Sequence, residues 1–319
     1  EETLETVVAQ PNFDTAAYPD FGGYRDAYEA LNVVLDISDS VRTDSTELIV
    51  WPESGIRTQI YSARVTDQTA NEVKDQLRQY AAEWDVTLLS GVVYFEYFNQ
   101  EEAPPLSRGT GRDPYLYYNA ALGFYPDKQV EVYRKHNLVP VVERIPFIHF
   151  LNAVDVFNWI SFADAQGFGK GYEPTPFTAD GVKTQALICY DSVFPGWVRR
   201  FIEEGAGFIT IITNDGWWGN TSGHEQHFSY ARLRAIEFRR WVVRSANNGI
   251  SGIIDPLGNI KVETEYWTKT AFRYNVPVTY EQTIYTRYGD WLPYAMILIT
   301  SSGIMLVLYR KFRPAGNVS

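Results

Sequence analysis

The chain has 319 residues, 15% of them aromatic, which is enough for a large packed core and excludes a disordered protein. Its formal net charge is −11 and no basic stripe offsets it, so we expect no nucleic-acid partner. A single cysteine permits no internal disulfide bond, so cysteine usage does not reveal the redox compartment.

The first half of the chain alternates between strand and helix patterns. It begins without an initiator Met or a signal peptide, so we expect a further N-terminal part before Glu1. Residues 99–114 are polar and contain Pro, which predicts a loop. Apolar spacing predicts, in order, a strand at 6–10, a helix at 24–37, a strand at 48–51, a helix at 73–84, and strands at 86–95, 115–125 and 129–133.

Residues 144–170 keep no helical or strand period for long, although they contain many large apolar side chains. A stretch of this length without secondary structure predicts a lid or a binding loop. We expect it to be mobile and to face a membrane, because so many apolar side chains on a loop need a lipid or a partner. An ordinary buried excursion of the chain is the alternative.

The second half repeats the alternation. Residues 255–259, Asp-Pro-Leu-Gly-Asn, predict a hairpin turn after the last of these strands. Buried strands alternating with helices predict an α/β fold, and the hairpins indicate a mixed sheet. The predicted elements are a strand at 183–188, a helix at 197–204, a strand at 208–213, a helix at 224–240, and strands at 241–245 and 250–254.

The last apolar run, from Trp291 to Tyr309, carries no charge. Its length is what a helix needs to cross a bilayer, and aromatic residues lie near both of its ends. Arg310, Lys311 and Arg313 follow at once, so the positive-inside rule places this tail in the cytoplasm and everything before the run outside. A buried core helix is the alternative, because residues 300–303 lower the hydrophobicity.

Three predicted strands end next to residues that acyl transfer through a thiol would need. Cys189 follows an apolar run and precedes a helical pattern, so the helix dipole would favour its thiolate. Glu53 and Lys135 follow two other strands; a buried carboxylate can take the thiol proton, and a buried lysine can stabilise a tetrahedral intermediate. Taken singly, Cys189 can be a small buried hydrophobe and the two charges solvated loop residues.

Together and in this order, Glu53, Lys135 and Cys189 resemble the Glu-Lys-Cys triad of the nitrilase, or carbon–nitrogen hydrolase, superfamily. The likeness is closest to one branch, the apolipoprotein N-acyltransferases, and covers nearly the whole chain. It rests on the motifs Trp51-Pro-Glu-Ser54, Tyr133-Arg-Lys-His-Asn-Leu-Val-Pro140, Ile188-Cys-Tyr-Asp191, Thr213-Asn-Asp-Gly-Trp-Trp-Gly219, Gln226-His-Phe-Ser-Tyr-Ala-Arg-Leu-Arg-Ala-Ile-Glu237 and Arg244-Ser-Ala-Asn-Asn-Gly-Ile-Ser251.

This resemblance implies a four-layer αββα sandwich of the nitrilase type, followed by one C-terminal transmembrane helix. Residues 1–285 would be the catalytic domain, with 144–170 as its lid, and residues 286–319 the membrane helix and a basic cytoplasmic tail. The implied location is the bacterial inner membrane, with the catalytic domain on the periplasmic side. The family also carries transmembrane helices before this domain, which are absent from the 319 residues.

Carried over residue by residue, the resemblance makes Glu53 the general base, Lys135 the oxyanion group and Cys189 the nucleophile. Two departures stand out: the family commonly has Glu where this chain has Asp191, and Phe where it has Trp218. Trp217 is placed at the mouth of the acyl site, with a core position as the alternative. The auxiliary or substrate-binding residues are Glu143, Asp191, Tyr190 and Trp217.

The implied reaction moves a fatty acyl chain from a phospholipid, through a cysteine thioester, to the terminal amine of a diacylated apolipoprotein. The first alternative is a membrane-tethered amidase of the nitrilase type that hydrolyses a small C–N substrate. The second is an inactive domain that only binds lipid or lipoprotein, against which the intact triad argues.

Two further patterns in the helix predicted at 224–240 have plain interpretations. His224 and His227 lie three residues apart, not the four of a zinc helix, and we expect neither a metal nor a cofactor. The arginines of this stretch predict a solvated or ion-paired helix face: Arg232, Arg234, Arg239 and Arg240.

Overall fold

A computed structural model describes residues 2–14, 23–62, 66–105, 107–109, 113–147, 167–219 and 221–312. In its first half the helices are α1 (Ala27–Asp39) and α2 (Gln68–Trp84), each with an aspartate N-cap. The strands of that half are β1 (Thr3–Gln10), β2 (Leu48–Val50), β3 (Gln59–Tyr61), β4 (Thr87–Tyr97), β5 (Tyr115–Phe124) and β6 (Glu131–Arg134).

The second half continues with short strands and four described helices. The helices are α3 (Pro195–Glu203), α4 (Gly223–Phe238), α5 (Ile284–Tyr288) and α6 (Trp291–Phe312). The strands are β7 (Phe177–Ala179), β8 (Val182–Thr184), β9 (Leu187–Ile188), β10 (Ile209–Thr213), β11 (Val242–Ala246), β12 (Gly252–Ile254), β13 (Ile260–Glu263) and β14 (Thr270–Pro277).

Two mixed sheets pack face to face, with helices on both outer sides. Within the described residues, the first sheet has the order β14-β1-β2-β4-β5-β6, with β3 beside β4, and the second has the order β13-β12-β11-β10-β9. On β1, Val7 packs with the buried faces of α1 and α2. The next residue, Val8, packs with the second sheet and with α3 and α4. This alternation produces the predicted αββα layers.

The structure departs from the predicted strands in several places, and β3 and β7 are among the strands that were not predicted. The strand predicted at 183–188 is divided, because β8 pairs with β7 in a separate hairpin while β9 joins β10. The sequence pattern did not reveal β14, an edge strand whose side chains are mostly half-buried or exposed. Its position depends on pairing with β1, where Thr3 lies opposite Pro277.

The predicted solvated or ion-paired arginine face is wrong for Arg240, while Arg234 is ion-paired as predicted, although its side chain is buried. Arg234 is 3% exposed, pairs with Glu237 and donates to the carbonyl of Val193. Arg240, 1% exposed and just beyond the helix, donates to the carbonyls of Ala206 and Glu281. These guanidinium groups join separate segments of the chain, because the buried backbone carbonyls that accept from them have no water to bind.

The C-terminal helix α6 leaves the body of the protein. It has 22 residues, its most apolar 18-residue window has a mean hydropathy of 1.8, and none of that window is buried. The alternative of a buried core helix is therefore wrong. A helix of this length spans about 33 Å, which exceeds the ~30 Å hydrocarbon thickness of a bilayer. Among the described residues it is the one helix long and apolar enough to cross a membrane.

Candidate active site

The three residues of the predicted triad lie at the carboxyl ends of β2, β6 and β9. Trp51, fully buried beside α1, and Pro52 end β2 and lead into a tight turn that presents Glu53. The turn packs directly on β4 at Gly91, where a Cβ would lie only 2.6 Å from the Cα of Glu53. Glycine is therefore required at position 91 for this close approach.

Lys135 lies between two carboxylates in the interior. Its Nζ is 2.8 Å from Oε1 of Glu143 and 3.6 Å from Oε1 of Glu53. The amide of Asn119, on β5, donates to both carboxylates, at 2.6 Å to Glu53 and 2.7 Å to Glu143. The second oxygen of Glu53 accepts from the backbone N–H of Asn214, at the end of β10, so this glutamate connects the two sheets.

These contacts set the protonation states of the pair. Burial raises the pKa of Glu53, and Glu143 raises it further, while Lys135 acts in the opposite direction. Burial alone would lower the pKa of Lys135, but Glu53, Cys189 and Glu143 raise it above its ordinary value. Lys135 is therefore cationic, and Glu53 is a stronger base than an exposed glutamate.

Cys189 begins a short 3-10 helix, Cys189–Val193, and has a φ of 47°. A residue with a side chain rarely adopts this left-handed backbone, and such strain is concentrated at functional sites. The expectation that a helix dipole favours the thiolate is wrong. Although part of Cys189 is exposed, burial and the charge of Glu53 raise the pKa of the thiol to about 12, against the opposing effect of Lys135. Desolvation outweighs the dipole here.

A buried network of hydrogen bonds and ion pairs supports the backbone of Cys189. Nε2 of His227, on α4, lies 3.3 Å from the carbonyl oxygen of Cys189, and its Nδ1 lies 2.8 Å from Oδ1 of Asp215. Arg244, on β11, pairs with the other oxygen of Asp215 at 2.8 Å. Burial opposes the charge of Asp215, but Arg244 and His227 hold its pKa well below the ordinary value. This ion network holds the strained turn in place.

The predicted auxiliary residues have different surroundings. Asp191 is fully buried and accepts hydrogen bonds from the hydroxyl of Tyr133 and the backbone N–H of Asn137, both at 2.7 Å. It thus holds the chain on both sides of Lys135, and burial raises its pKa to about 6. Tyr190 is half-buried and lines a cavity beside the site. Trp217 is 71% exposed, so its alternative as a core residue is wrong.

Four residues of the site were missed at the sequence level: Asn119, Asp215, His227 and Arg244. Asn119 carried a usable signal, because an amide in the middle of an apolar strand needs a buried partner. The other three lie within the quoted motifs but far apart in the chain, so their mutual contacts depend on the fold. The predicted lid at 144–170 falls mostly on residues 148–166, which lie outside the described residues.

Sequence comparison identifies relatives with a stated activity. A protein of Chlorobaculum tepidum named apolipoprotein N-acyltransferase is 34% identical over 282 residues, which cover 85% of this chain and 51% of that protein. Apolipoprotein N-acyltransferase 2 of Treponema denticola is 30% identical over 314 residues, covering 95% of this chain and 55% of that protein. The chain therefore spans about half the length of the curated relatives it matches.

Solved structures with the same fold have low sequence identity to this chain. A CN-hydrolase superfamily protein of Xanthomonas campestris has a TM-score of 0.57 at 15% identity and covers 87% of this chain and 91% of its own. Nit3 of Saccharomyces cerevisiae, a nitrilase superfamily member, has a TM-score of 0.56 at 16% identity, covering 86% and 90%. The family model for carbon-nitrogen hydrolases matches residues 15–285. With this match and the αββα layers, the chain belongs to the carbon–nitrogen hydrolase family.

Proposed function

We propose that this chain is the catalytic part of an apolipoprotein N-acyltransferase. The observation that carries the proposal is its 34% identity to a relative with that name over 85% of the chain. Chemical support comes from a buried Lys135 held between two carboxylates beside the single thiol of the chain. Acyl transfer through a thiol needs this combination of a base, a cation and a nucleophile.

In the first half-reaction, Glu53 takes the proton of Cys189 as the sulfur attacks the ester carbonyl of a phospholipid. The charge on the carbonyl oxygen is stabilised by the ammonium group of Lys135, which Glu143 and Asn119 orient. The intermediate collapses, the alkoxide of the lysophospholipid leaves with the proton from Glu53, and the acyl chain remains on sulfur as a thioester.

In the second half-reaction, the terminal amine of a diacylated apolipoprotein attacks the thioester carbonyl. Glu53 accepts a proton from the amine and returns a proton to sulfur, so that an amide forms and Cys189 is a thiol again. Water must be kept from the thioester for this sequence to work. The lid at 144–170 and Trp217, at the mouth of the acyl site, are proposed to exclude it, and Tyr190 to contact the substrate.

The test of this proposal uses the protein in detergent with its C-terminal helix. Incubated with phospholipid and no acceptor, it should gain the mass of one fatty acyl chain on Cys189. A diacylated lipopeptide with a free terminal amine should then remove the acyl chain from Cys189 and carry it as an amide. Mass spectrometry of both molecules measures this transfer. Free fatty acid released at the same rate with or without lipopeptide would refute a transferase and favour a tethered amidase-type hydrolase.

For location, we propose that residues 1–285 form a catalytic domain on the periplasmic side of the bacterial inner membrane. Residues 286–319 would then be the membrane helix and cytoplasmic tail. Support comes from the uncovered apolar surface of α6 and from Arg310 and Lys311 at its end; Arg313 lies outside the described residues. In intact spheroplasts, a membrane-impermeant thiol reagent should modify Cys189. Modification only after the membrane is broken would reverse the orientation.

A further inference from the structure

Two neighbouring cavities share a wall that carries two positive charges. The first, of about 450 Å³, and the second, of about 360 Å³, are both lined by Arg144, Lys170 and Tyr172. The first cavity also adjoins the candidate active site, because its lining includes His136 and Tyr190, the residues that directly follow Lys135 and Cys189. A ligand in it would therefore lie close to the thiol.

Lys170 is the unusual member of this wall. It is half-buried, and Nζ forms no hydrogen bond or ion pair with any residue that the structure describes. Nζ lies over the ring of Tyr172, 5.7 Å from its centroid. Burial lowers the pKa of Lys170 and Arg144 lowers it further, which is the sign of two cations that repel each other, while Asp191 opposes both. An anion between them would remove that repulsion.

Asp191 cannot serve as this anion, because its carboxylate already accepts hydrogen bonds from Tyr133 and Asn137. The charge on the wall is also opposite to that of the whole chain, whose net charge is −11. Two positive charges therefore lie beside the site of a chain that is acidic overall. Such local concentration is how proteins select an anionic group on a ligand.

The rest of both cavities is mostly apolar, although His136 and Asn137 also line the first. Leu138, Ile145 and Phe194 line the first, and Leu116 and Phe168 line the second. Apolar walls beside a cationic ridge fit an amphiphile that carries an anionic group next to its hydrocarbon chains. A small polar amide would leave these walls unfilled.

We propose that Lys170 and Arg144 bind the phosphate of the acyl-donor lipid, an anionic phosphodiester, and thereby place its ester next to Cys189. The inference rests on the proposed acyltransferase function and adds the chemical group by which the donor is recognised. Arginine supplies a planar fork and lysine a point charge, a pairing well suited to phosphate oxygens.

The test compares two acyl donors, phosphatidylglycerol and the neutral ester p-nitrophenyl octanoate, by the mass gained on Cys189. Lys170→Met should raise KM for phosphatidylglycerol on the order of ten-fold, the effect of losing one charge-assisted hydrogen bond, and leave the rate with the neutral ester unchanged. Lys170→Arg should restore most of the affinity. The matched control is Lys269→Met, which removes an exposed lysine outside both cavities. Thermal unfolding of Lys170→Met should be unchanged, since the lysine has no hydrogen-bond or ion-pair partner among the described residues.

Several results would overturn the proposal. If Lys170→Met is acylated more slowly by both donors to the same extent, Lys170 supports the reacting centre or the fold. If its KM for phosphatidylglycerol is unchanged, Lys170 does not contact the lipid. Inorganic phosphate distinguishes a lipid phosphate from a free phosphate ion as the bound group. If inorganic phosphate inhibits the wild type while Lys170→Met leaves KM for phosphatidylglycerol unchanged, the wall binds a free anion. A wild type acylated by the neutral ester but never by phosphatidylglycerol would instead refute the proposed function.

Discussion

Replacing Cys189 with alanine should abolish acyl transfer and leave the protein folded. The variant lacks the only thiol of the chain, and loss of a catalytic nucleophile lowers turnover by on the order of 10⁴-fold or more. Alanine keeps the Cβ and can adopt the same positive φ at the same cost, so we expect the melting temperature to stay within a few degrees of the wild type's. Intact-protein mass after incubation with phospholipid measures the acyl-enzyme directly.

The control for this variant is wild-type protein whose thiol has been alkylated with iodoacetamide. It keeps every other side chain of the wild type and should also gain no acyl mass. An acyl adduct on Cys189→Ala, or turnover at the wild-type rate, would remove Cys189 as the nucleophile.

Replacing Glu53 with glutamine should lower the acylation rate at neutral pH by about 10²–10⁴-fold, the contribution of a positioned general base. The pKa of the thiol, about 12, explains why the base is needed. At pH 7 about one thiol in 10⁵ would be ionised at that value. Glutamine is nearly the same size and keeps an oxygen that can accept from the amide of Asn119 or from the N–H of Asn214, so a circular-dichroism melting curve should show a folded protein. The matched control is Glu83→Gln, at an exposed position on α2.

The pH profile distinguishes loss of the base from a general loss of the site. In the wild type, the rate should fall as pH falls through the pKa of Glu53, because protonated Glu53 cannot accept the thiol proton. Since that pKa is raised, the fall should lie at higher pH than for an exposed glutamate. In Glu53→Gln this limb should disappear, and the rate should climb with pH as thiolate forms. A wild-type-like acid limb in the variant would assign the titration to another group.

Much of this protein could be read from local patterns. Apolar runs ending near Glu53, Lys135 and Cys189 predicted three strands, and the order of these residues, through its resemblance to a known triad, predicted that the strand ends meet at one site. The long apolar C-terminal helix was equally visible, since the charge-free run from Trp291 to Tyr309 is longer than a core helix requires. Here each property depends on residues close together in the chain, and spacing reports burial of a face directly.

The pairings within the site depended on the fold. Glu53 meets the N–H of Asn214, 161 residues later, and the buried network of Asp215, His227 and Arg244 joins three separate elements. Spacing indicates which face of an element is buried but does not name its partners. The direction of the pKa shift of the thiol also depended on the fold, because desolvation and the charge of Glu53 come from elements far from Cys189 in sequence. The burial of Arg234 and Arg240 depended on the fold as well, because their carbonyl partners become available when loops between distant elements pack around them.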